Sequence, residues 1–332
     1  MSEPERVTEE PAPIEITDAD VDEAIAMCGG VDRQMLGRQS FGVSFNLRGY
    51  HKVERYAGRL LQSMIRRASA IRFNRKAESG RTEPLRATVV TDDADEERDV
   101  ILKVSAAKES SIESLSNEML GAMLAADLGL PVAEPLLVFI DEDFIASIPV
   151  ADVRVRLQAS SRVAFAASDL GKQWRRWQSS DRLKQVQYGS ALAVLAFDAF
   201  VGNSDRSPHN PNLMVKGDDW RLIDHEAAFS FRLKLFPRCQ PWVLGNLHGI
   251  CAAGADSEHV FAAGLMGKSG LDFGAVQAAW SDLSDVRLSQ YDAVLPEEWE
   301  EARPYLAEAI GHLRHVRDNV DLCLTELKRV LS

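Results

Sequence analysis

The chain has 332 residues, of which 45% are apolar and 27% charged, a balance typical of a globular protein with one two-part domain or two small ones. Its formal net charge of −12 argues against general nucleic-acid binding. The best apolar stretch, 191–202, is interrupted by Asp198 and is shorter than the roughly 20 residues that a membrane span needs, so no membrane association is expected.

The first 47 residues are predicted to form an acidic, partly disordered leader. They combine three prolines with many carboxylates and few basic residues before position 24. The start of the chain has neither the basic nor the apolar part of a signal peptide, and the four cysteines are scattered. A reduced, cytoplasmic protein is therefore expected.

Residues 48–77 are predicted to form a basic helical extension. Lysines and arginines dominate the charges of 48–76, and apolar residues recur at three- and four-residue steps over 50–74. The basic residues form either the solvated face of a helix or a docking surface for an acidic partner, such as RNA or a phosphorylated substrate.

The sequence pattern of the next region, 78–140, predicts a small β-rich lobe. LRATVVT (85–91) and DVILKV (99–104) flank an acidic turn and predict a hairpin. A helix is predicted over 111–127, ended by Gly129 and Pro131, with a strand at 136–140. From residue 141 to 332 the chain is predicted to be mostly helical, including one apolar helix over 188–201. The fold class is α+β, with a small β-rich lobe before a larger helical one.

Chemistry is concentrated between Asn203 and Asp224. The apolar helix runs into Gly202, Asn203 and Asp205, and two short predicted strands, 213–215 and 220–223, separate this loop from Asp224. Phosphoryl transfer needs one carboxylate to position the attacking hydroxyl, and an amide oxygen and a second carboxylate to hold magnesium. Asp205, Asn210 and Asp224 offer that combination at the ends of regular elements.

A phosphotransferase also needs a cation for the nucleotide phosphates, held by a helix carboxylate. Lys103 lies inside the apolar strand ILKV, where an unpaired charge is costly. Glu118 on the following helix is the preferred partner, although Glu109 and Glu113 are also available. Ahead of the hairpin, Gly80, Arg81 and Thr82 form either a turn that covers the phosphates or a plain linker.

These residues resemble the HipA-like kinase family, especially its short single-domain members, and more distantly phosphatidylinositol kinases. The matching pieces are SGRTEP, ILKV, NEMLGAMLAADLGLPVAEP, NSDRSPHNPN and IDHEAAF, in the family's order over about 78–230.

The resemblance implies a bilobal protein-kinase-like fold and transfer of phosphate from ATP with Mg²⁺ to serine or threonine of a protein, which includes the chain itself at Ser79 or Thr82. It implies Asp205 as the catalytic aspartate, Arg206 as the residue that steadies the catalytic loop, and Lys103 as the ATP lysine. It also implies Asn210 and Asp224 as magnesium ligands. Two positions depart from the family: Ser207 replaces a common histidine, and Glu226 replaces a common glycine. The family is bacterial and includes toxins, which does not decide whether this chain is one.

Other functions fit fewer residues. The main alternative is a pseudokinase that binds nucleotide and acts as a scaffold; a lipid kinase would need a more basic loop after Asp224. A zinc site would use Cys239, His248, Cys251 and His259, whose outer spacings are irregular. A metal hydrolase would use His209 and His225. Around Trp174 and Trp177, the arginines and lysines form either a substrate contact or the exposed face of a helix.

Overall fold

The computed structural model describes residues 65–77, 82–229, 240–255 and 257–332. Its strands are β1 (Arg66–Lys76), β2 (Leu85–Thr91), β3 (Glu97–Lys103), β4 (Pro135–Phe139), β5 (Val163–Ser168), β6 (Arg175–Arg176), β7 (Leu213–Lys216) and β8 (Asp219–Leu222). Its α-helices are α1 (Ile112–Asp127), α2 (Glu142–Ser147), α3 (Ala151–Gln158), α4 (Tyr188–Val201), α5 (Ala262–Leu265), α6 (Phe273–Ser281), α7 (Asp285–Ala293), α8 (Arg303–Asp318) and α9 (Val320–Leu331).

Five strands close into a barrel in the order β1-β2-β3-β5-β4. The pair β1–β4 is parallel and the other pairs are antiparallel. Alternate residues of each strand point inward, so small and branched side chains fill the interior. This barrel core is built from residues such as Ala70, Ala87, Val100, Leu136 and Ala166.

The prediction of a basic helix is wrong for residues 66–76, because these form strand β1. The side chains of Ala68 and Ala70 are buried in the barrel, and the backbone of β1 pairs with β2 on one side and with β4 on the other. This two-sided pairing overrides the helical propensity of an alanine- and arginine-rich segment. Residues 48–64 and the leader 1–47 lie outside the described residues.

The prediction that the chain is mostly helical from residue 141 is wrong for 163–168. This segment forms β5, which pairs with β3 and β4 inside the barrel. In contrast, the predicted hairpin is confirmed as β2 and β3, and the strand near 136–140 is confirmed as β4.

Helix α1 packs against the barrel and the helical region. Ser111 caps its N-terminus by accepting a hydrogen bond from the Ser114 backbone N–H, and Gly129, with φ of 72°, follows its C-terminus. Its third turn is buried on all sides, and its apolar side chains join those of α4 in the larger core. The predicted helices at 111–127 and 188–201 are thus confirmed as α1 and α4.

Strands β6, β7 and β8 form a second, antiparallel sheet. Helix α4 ends in Gly202, with φ of 73°, and the loop 203–212 leads into β7. Asp224 follows β8 after one intervening residue, Ile223. This sheet therefore places the two polar segments of the sequence side by side.

The described part of the chain has a mixed α+β fold, as predicted. None of the helices in the described ranges combines the length and apolarity that crossing a membrane requires.

Candidate active site

The loop after α4 is organised around the carboxylate of Asp205. Its Oδ2 atom accepts hydrogen bonds from the side-chain amides of Asn210, at 2.8 Å, and Asn212, at 3.1 Å. Its backbone N–H donates to Oδ1 of Asn203, at 3.2 Å. Because its Nδ2 is engaged with Asp205, Asn210 has its amide orientation set by that bond. The loop thus brings together a carboxylate and an amide that were predicted from their spacing.

Arg206 points away from the cavity into the protein and is 1% exposed. Its Nε donates to Oδ2 of Asp198 at 2.6 Å, and one terminal nitrogen donates to the carbonyls of Asn212, at 2.6 Å, and Ile223, at 3.2 Å. One guanidinium therefore ties the end of the Asp205 loop to the residue before Asp224. This placement agrees with a positioning role and not with contact to substrate.

Asp198, within α4, was missed as a site residue. Its fully buried carboxylate accepts hydrogen bonds from Asn203 at 2.7 Å, Arg206 at 2.6 Å and Nε2 of His259 at 3.0 Å. Nδ1 of His259 accepts the backbone N–H of Phe261, so the proton of the neutral ring lies on Nε2. The sequence signal was the single carboxylate that interrupts an apolar helix.

Burial and hydrogen bonding set the charges of this buried network. Burial by itself would raise the pKa of Asp198, but Arg206 and His259 outweigh burial and hold the pKa below its ordinary value. Burial lowers the pKa of His259, so the ring stays neutral. The network is a paired carboxylate and guanidinium with a neutral histidine.

The second half of the site forms around Lys103, near the end of β3. Its ammonium lies among three carboxylates, those of Glu118, Asp224 and Glu226. It contacts Glu118 directly, and its Nζ lies 3.0 Å from Oδ1 of Asp224 and 3.4 Å from Oε2 of Glu226. The predicted partner Glu118 is therefore in place, while Glu109 and Glu113 are not among these contacts.

The cluster of Lys103, Glu118, Asp224 and Glu226 has more negative than positive charge. Burial alone would lower the pKa of Lys103, but Glu118 and the two other carboxylates raise it above its ordinary value. Burial, together with repulsion from Asp224, raises the pKa of Glu118 and Glu226, against the effect of Lys103. Burial would raise the pKa of Asp224 too, but Lys103 lowers it. Such an excess of carboxylates favours a further cation.

Helix α1 holds the segment that follows β8 at three points. Oε2 of Glu118 accepts the backbone N–H of His225 at 3.0 Å, and Nδ2 of Asn117 donates to the carbonyl of Glu226 at 3.0 Å. The His225 ring packs against Gly121, where an added Cβ would lie 2.6 Å from Cβ of His225. Asp224 itself has φ of 63°, an uncommon value for a residue other than glycine. The contacts from α1 thus maintain a strained turn that presents the Asp224 carboxylate.

Two adjoining cavities surround these groups. A polar cavity of about 410 Å³ is lined by Arg176, Asp205, His209, Asn210, Asn212, Asp224 and Glu226. A larger cleft of about 770 Å³ contains Lys103 and Glu118 and has apolar walls that include Ile101, Phe165, Met214 and Ile223. The cleft thus combines apolar surface for a flat ring with charged groups.

The predicted phosphate-covering turn is only partly described. Thr82 borders the cleft and is buried, whereas Gly80 and Arg81 lie outside the described residues. The roles of these three residues stay predictions.

The sequence profile described as HipA-like kinase matches residues 71–243, just over half of the chain, and this range includes Lys103, Glu118, Asp205, Asn210 and Asp224. The chain belongs to the HipA-like kinase family. It is therefore a kinase, as predicted.

Structural and sequence comparisons add little to that family assignment. The crystal structure of a Helicobacter pylori proinflammatory kinase, CtkA, is similar over 79% of this chain and 97% of that one, with 10% identity and a TM-score of 0.40. No curated protein sequence matches the chain. The assignment rests on the family profile.

The alternative metal sites are not assembled in the described residues. His259 is bonded to Asp198, and His225 is buried against Gly121 and Phe197. Within the ranges that the structure describes, the carboxylates of Glu118, Asp224 and Glu226 are the one group of three or more such side chains close enough to share a metal ion.

Proposed function

We propose that this HipA-like kinase transfers the γ-phosphate of ATP, with Mg²⁺, to a serine or threonine hydroxyl of a protein, the chain itself included. The observation that carries the proposal is the convergence of two groups of side chains on adjoining cavities. Lys103 and Glu118 lie with Asp224 in the cleft, and Asp205 and Asn210 lie with Asp224 in the polar cavity. The proposed nucleotide site thus runs between the barrel and the strands β7 and β8, as in a bilobal kinase.

The residues present fit a magnesium ion by their chemistry. They offer hard oxygen donors, and the carboxylates outnumber the one ammonium among them. Asp224 and the amide oxygen of Asn210 would hold the metal, which when bound supplies positive charge to the phosphate oxygens. The excess of carboxylates in the cluster supports this assignment.

The residues of the site have the following proposed roles in phosphate transfer. Asp205 orients the acceptor hydroxyl and receives its proton as the hydroxyl oxygen bonds to the γ-phosphorus. The bond from the γ-phosphorus to the bridging oxygen breaks, and ADP leaves with that electron pair. Lys103, held by Glu118, binds the nucleotide phosphates. Arg206 keeps the Asp205 loop in place through Asp198.

Transfer of label from γ-labelled ATP with magnesium, to the chain itself or to a lysate protein, tests the proposal. The wild type is compared with Asp205→Asn and Asp224→Asn, and Asp219→Asn serves as the matched control because it is exposed and lies on β8 just before Asp224. We expect transfer in the wild type and the control, and its loss in both site variants.

If the wild type transfers no phosphate, the rise in its melting temperature on adding nucleotide shows whether it still binds ATP. Stabilisation by ATP without transfer by the wild type would indicate the alternative, a pseudokinase that binds nucleotide and acts as a scaffold. Neither stabilisation nor transfer would contradict the proposed site.

A further inference from the structure

Arg176, in the short strand β6, lies where the two cavities meet. The polar cavity and the cleft share two of their lining residues, Asp224 and Arg176. Asp224 is one of the proposed metal ligands. The part of a nucleotide that passes from the cleft into the polar cavity would pass between these two side chains.

The register of the second sheet directs Arg176 toward the cleft. Arg176 pairs with Met214 of β7, and Met214 also lines the cleft. Directly opposed residues of antiparallel strands have their side chains on the same face. The neighbouring Arg175 also borders the cleft, but it does not line the polar cavity. The helix-face alternative for this segment is wrong, because the two arginines form strand β6.

The charges of the polar cavity make Arg176 distinctive. Three carboxylates line this cavity, those of Asp205, Asp224 and Glu226. Among the described residues that line it, Arg176 is the one lysine or arginine, and it is exposed at this junction. A planar guanidinium binds phosphate oxygens through two parallel hydrogen bonds, which suits a phosphoryl group flanked by carboxylates.

We propose that Arg176 binds the γ-phosphate of the nucleotide and stabilises it during transfer, a role that rests on the proposed kinase function. As the acceptor oxygen bonds to the γ-phosphorus and ADP departs, negative charge lies on the three equatorial oxygens and on the leaving oxygen. A guanidinium supplied by the same chain stabilises that charge without entering the covalent change. Lys103 is on the barrel side of the cleft, so the two cations bind different parts of the triphosphate.

The experiment compares the wild type with Arg176→Ala, Arg176→Lys and the control Lys216→Ala. Lys216 is also an exposed cation of the second sheet, on β7, but it lines neither cavity. Two quantities are measured: the rate of label transfer against ATP concentration, and the equilibrium affinities for ATP and ADP with magnesium. Thermal unfolding of each protein without nucleotide checks that it is folded.

We expect Arg176→Ala to lower the transfer rate at saturating ATP by about 100-fold, the usual effect of removing one group that stabilises a transition state. Its preference for ATP over ADP should also fall. Arg176→Lys should recover part of both, and Lys216→Ala should stay within about twofold of the wild type.

An unchanged rate in Arg176→Ala, or an equal loss of ATP and ADP affinity with no change in the saturated rate, would overturn the inference. If the wild type itself transfers no phosphate, the proposed function fails. The comparison of ATP and ADP binding then still decides whether Arg176 contacts the γ-phosphate.

Discussion

At the scale of single residues, the site depends on two buried charged groups that have opposite surroundings. Lys103 is a cation among three carboxylates, and Asp198 is a carboxylate among hydrogen-bond donors. Removing one partner of a buried ion pair is costly, because the other is left charged and unsatisfied. Both residues therefore contribute to stability as well as to the site.

Lys103→Met should lower the free energy of unfolding by about 3–5 kcal/mol, because it leaves Glu118 buried without its ammonium. The double variant Lys103→Met, Glu118→Gln should recover part of that loss. Urea unfolding measures the free energy of unfolding of the single and the double variant. Lys108→Met is the control, because Lys108 is exposed and lies close to Lys103 in the sequence. A loss no greater than that of the control would contradict the prediction.

Asp198→Asn should also cost about 3–5 kcal/mol, and it should change how stability depends on pH. The folded pKa of Asp198 is lowered, so its contribution is complete above the unfolded value near pH 4 and is lost as the pH falls through the folded pKa. As the pH falls below about 4, the variant should therefore lose less stability than the wild type. If the free energies of unfolding of the two proteins fall in parallel as the pH is lowered, Asp198 is not the source of this pH dependence.

At the scale of elements, helix α1 has two functions. It contributes apolar side chains to the larger core, and it holds the segment after β8 through Asn117, Glu118 and Gly121. The close approach at Gly121 requires a residue without a side chain, since the His225 ring is also packed edge-on against Phe197.

Gly121→Ala should push His225 away from α1 and so displace Asp224. Overpacking of this kind costs about 1–3 kcal/mol of stability, and the transfer rate should fall with it. Gly311→Ala is the matched control, because Gly311 is also helical and a Cβ there meets nothing within 4 Å. The control should be neutral or slightly stabilising, by up to about 1 kcal/mol. Equal stability and rates in the two variants would contradict the role of Gly121.

The elements also show why some predictions from sequence succeeded and others failed. The hairpin and helices α1 and α4 were predictable because their apolar patterns and end signals are local. Strand β1 was not, since the alanines that fill the barrel interior look like helix formers until the strands on both sides are known. Strand β5, VAFAAS, is a short apolar run that periodicity cannot separate from a buried helix.

The same contrast applies to the candidate site. Lys103, Glu118, Asp205, Asn210 and Asp224 were predicted from spacing and family resemblance, and the fold brings them to adjoining cavities. The contact between Asp198 and His259 joins positions that are 61 residues apart with no local pattern between them. Only the packing of the chain brings such a pair together.

At the scale of the whole molecule, the C-terminal helices stabilise the barrel and α1. Asp127, at the end of α1, accepts hydrogen bonds from Arg287, at 2.5 and 2.6 Å, and from Tyr291, at 2.5 Å. The indole N–H of Trp299, in the short 3-10 helix Glu297–Ala302, donates to the carbonyl of Val163 in β5 at 3.0 Å. Residues late in the chain thus complete the packing around elements formed much earlier.

Trp299→Phe should lower the free energy of unfolding by about 1–3 kcal/mol, because the smaller phenyl ring leaves a cavity at this buried position and the hydrogen bond to Val163 is lost. Trp242→Phe is the control, since Trp242 is half-buried and makes ring contacts with His312 and His315. Its effect should stay within about 0.5 kcal/mol. Denaturant unfolding of both variants makes the comparison, and equal losses would rule out a special contribution from the buried Trp299 indole.

The strand order of the barrel has a consequence for the timing of its formation on the ribosome. Strand β5 is the last barrel strand to be synthesised, yet it lies between β3 and β4, and β1 closes the barrel only through β4. At about 5–20 residues per second, roughly a hundred residues from β1 to β5 take about 5–20 seconds to emerge. Until β5 emerges the barrel stays open, first as the sheet β1–β2–β3 and then as β4–β1–β2–β3, and either sheet has two edges without partners. Such edges pair readily with other chains. The newly made chain is therefore most exposed to misassembly before β5 emerges, well before the Asp205 loop has been made.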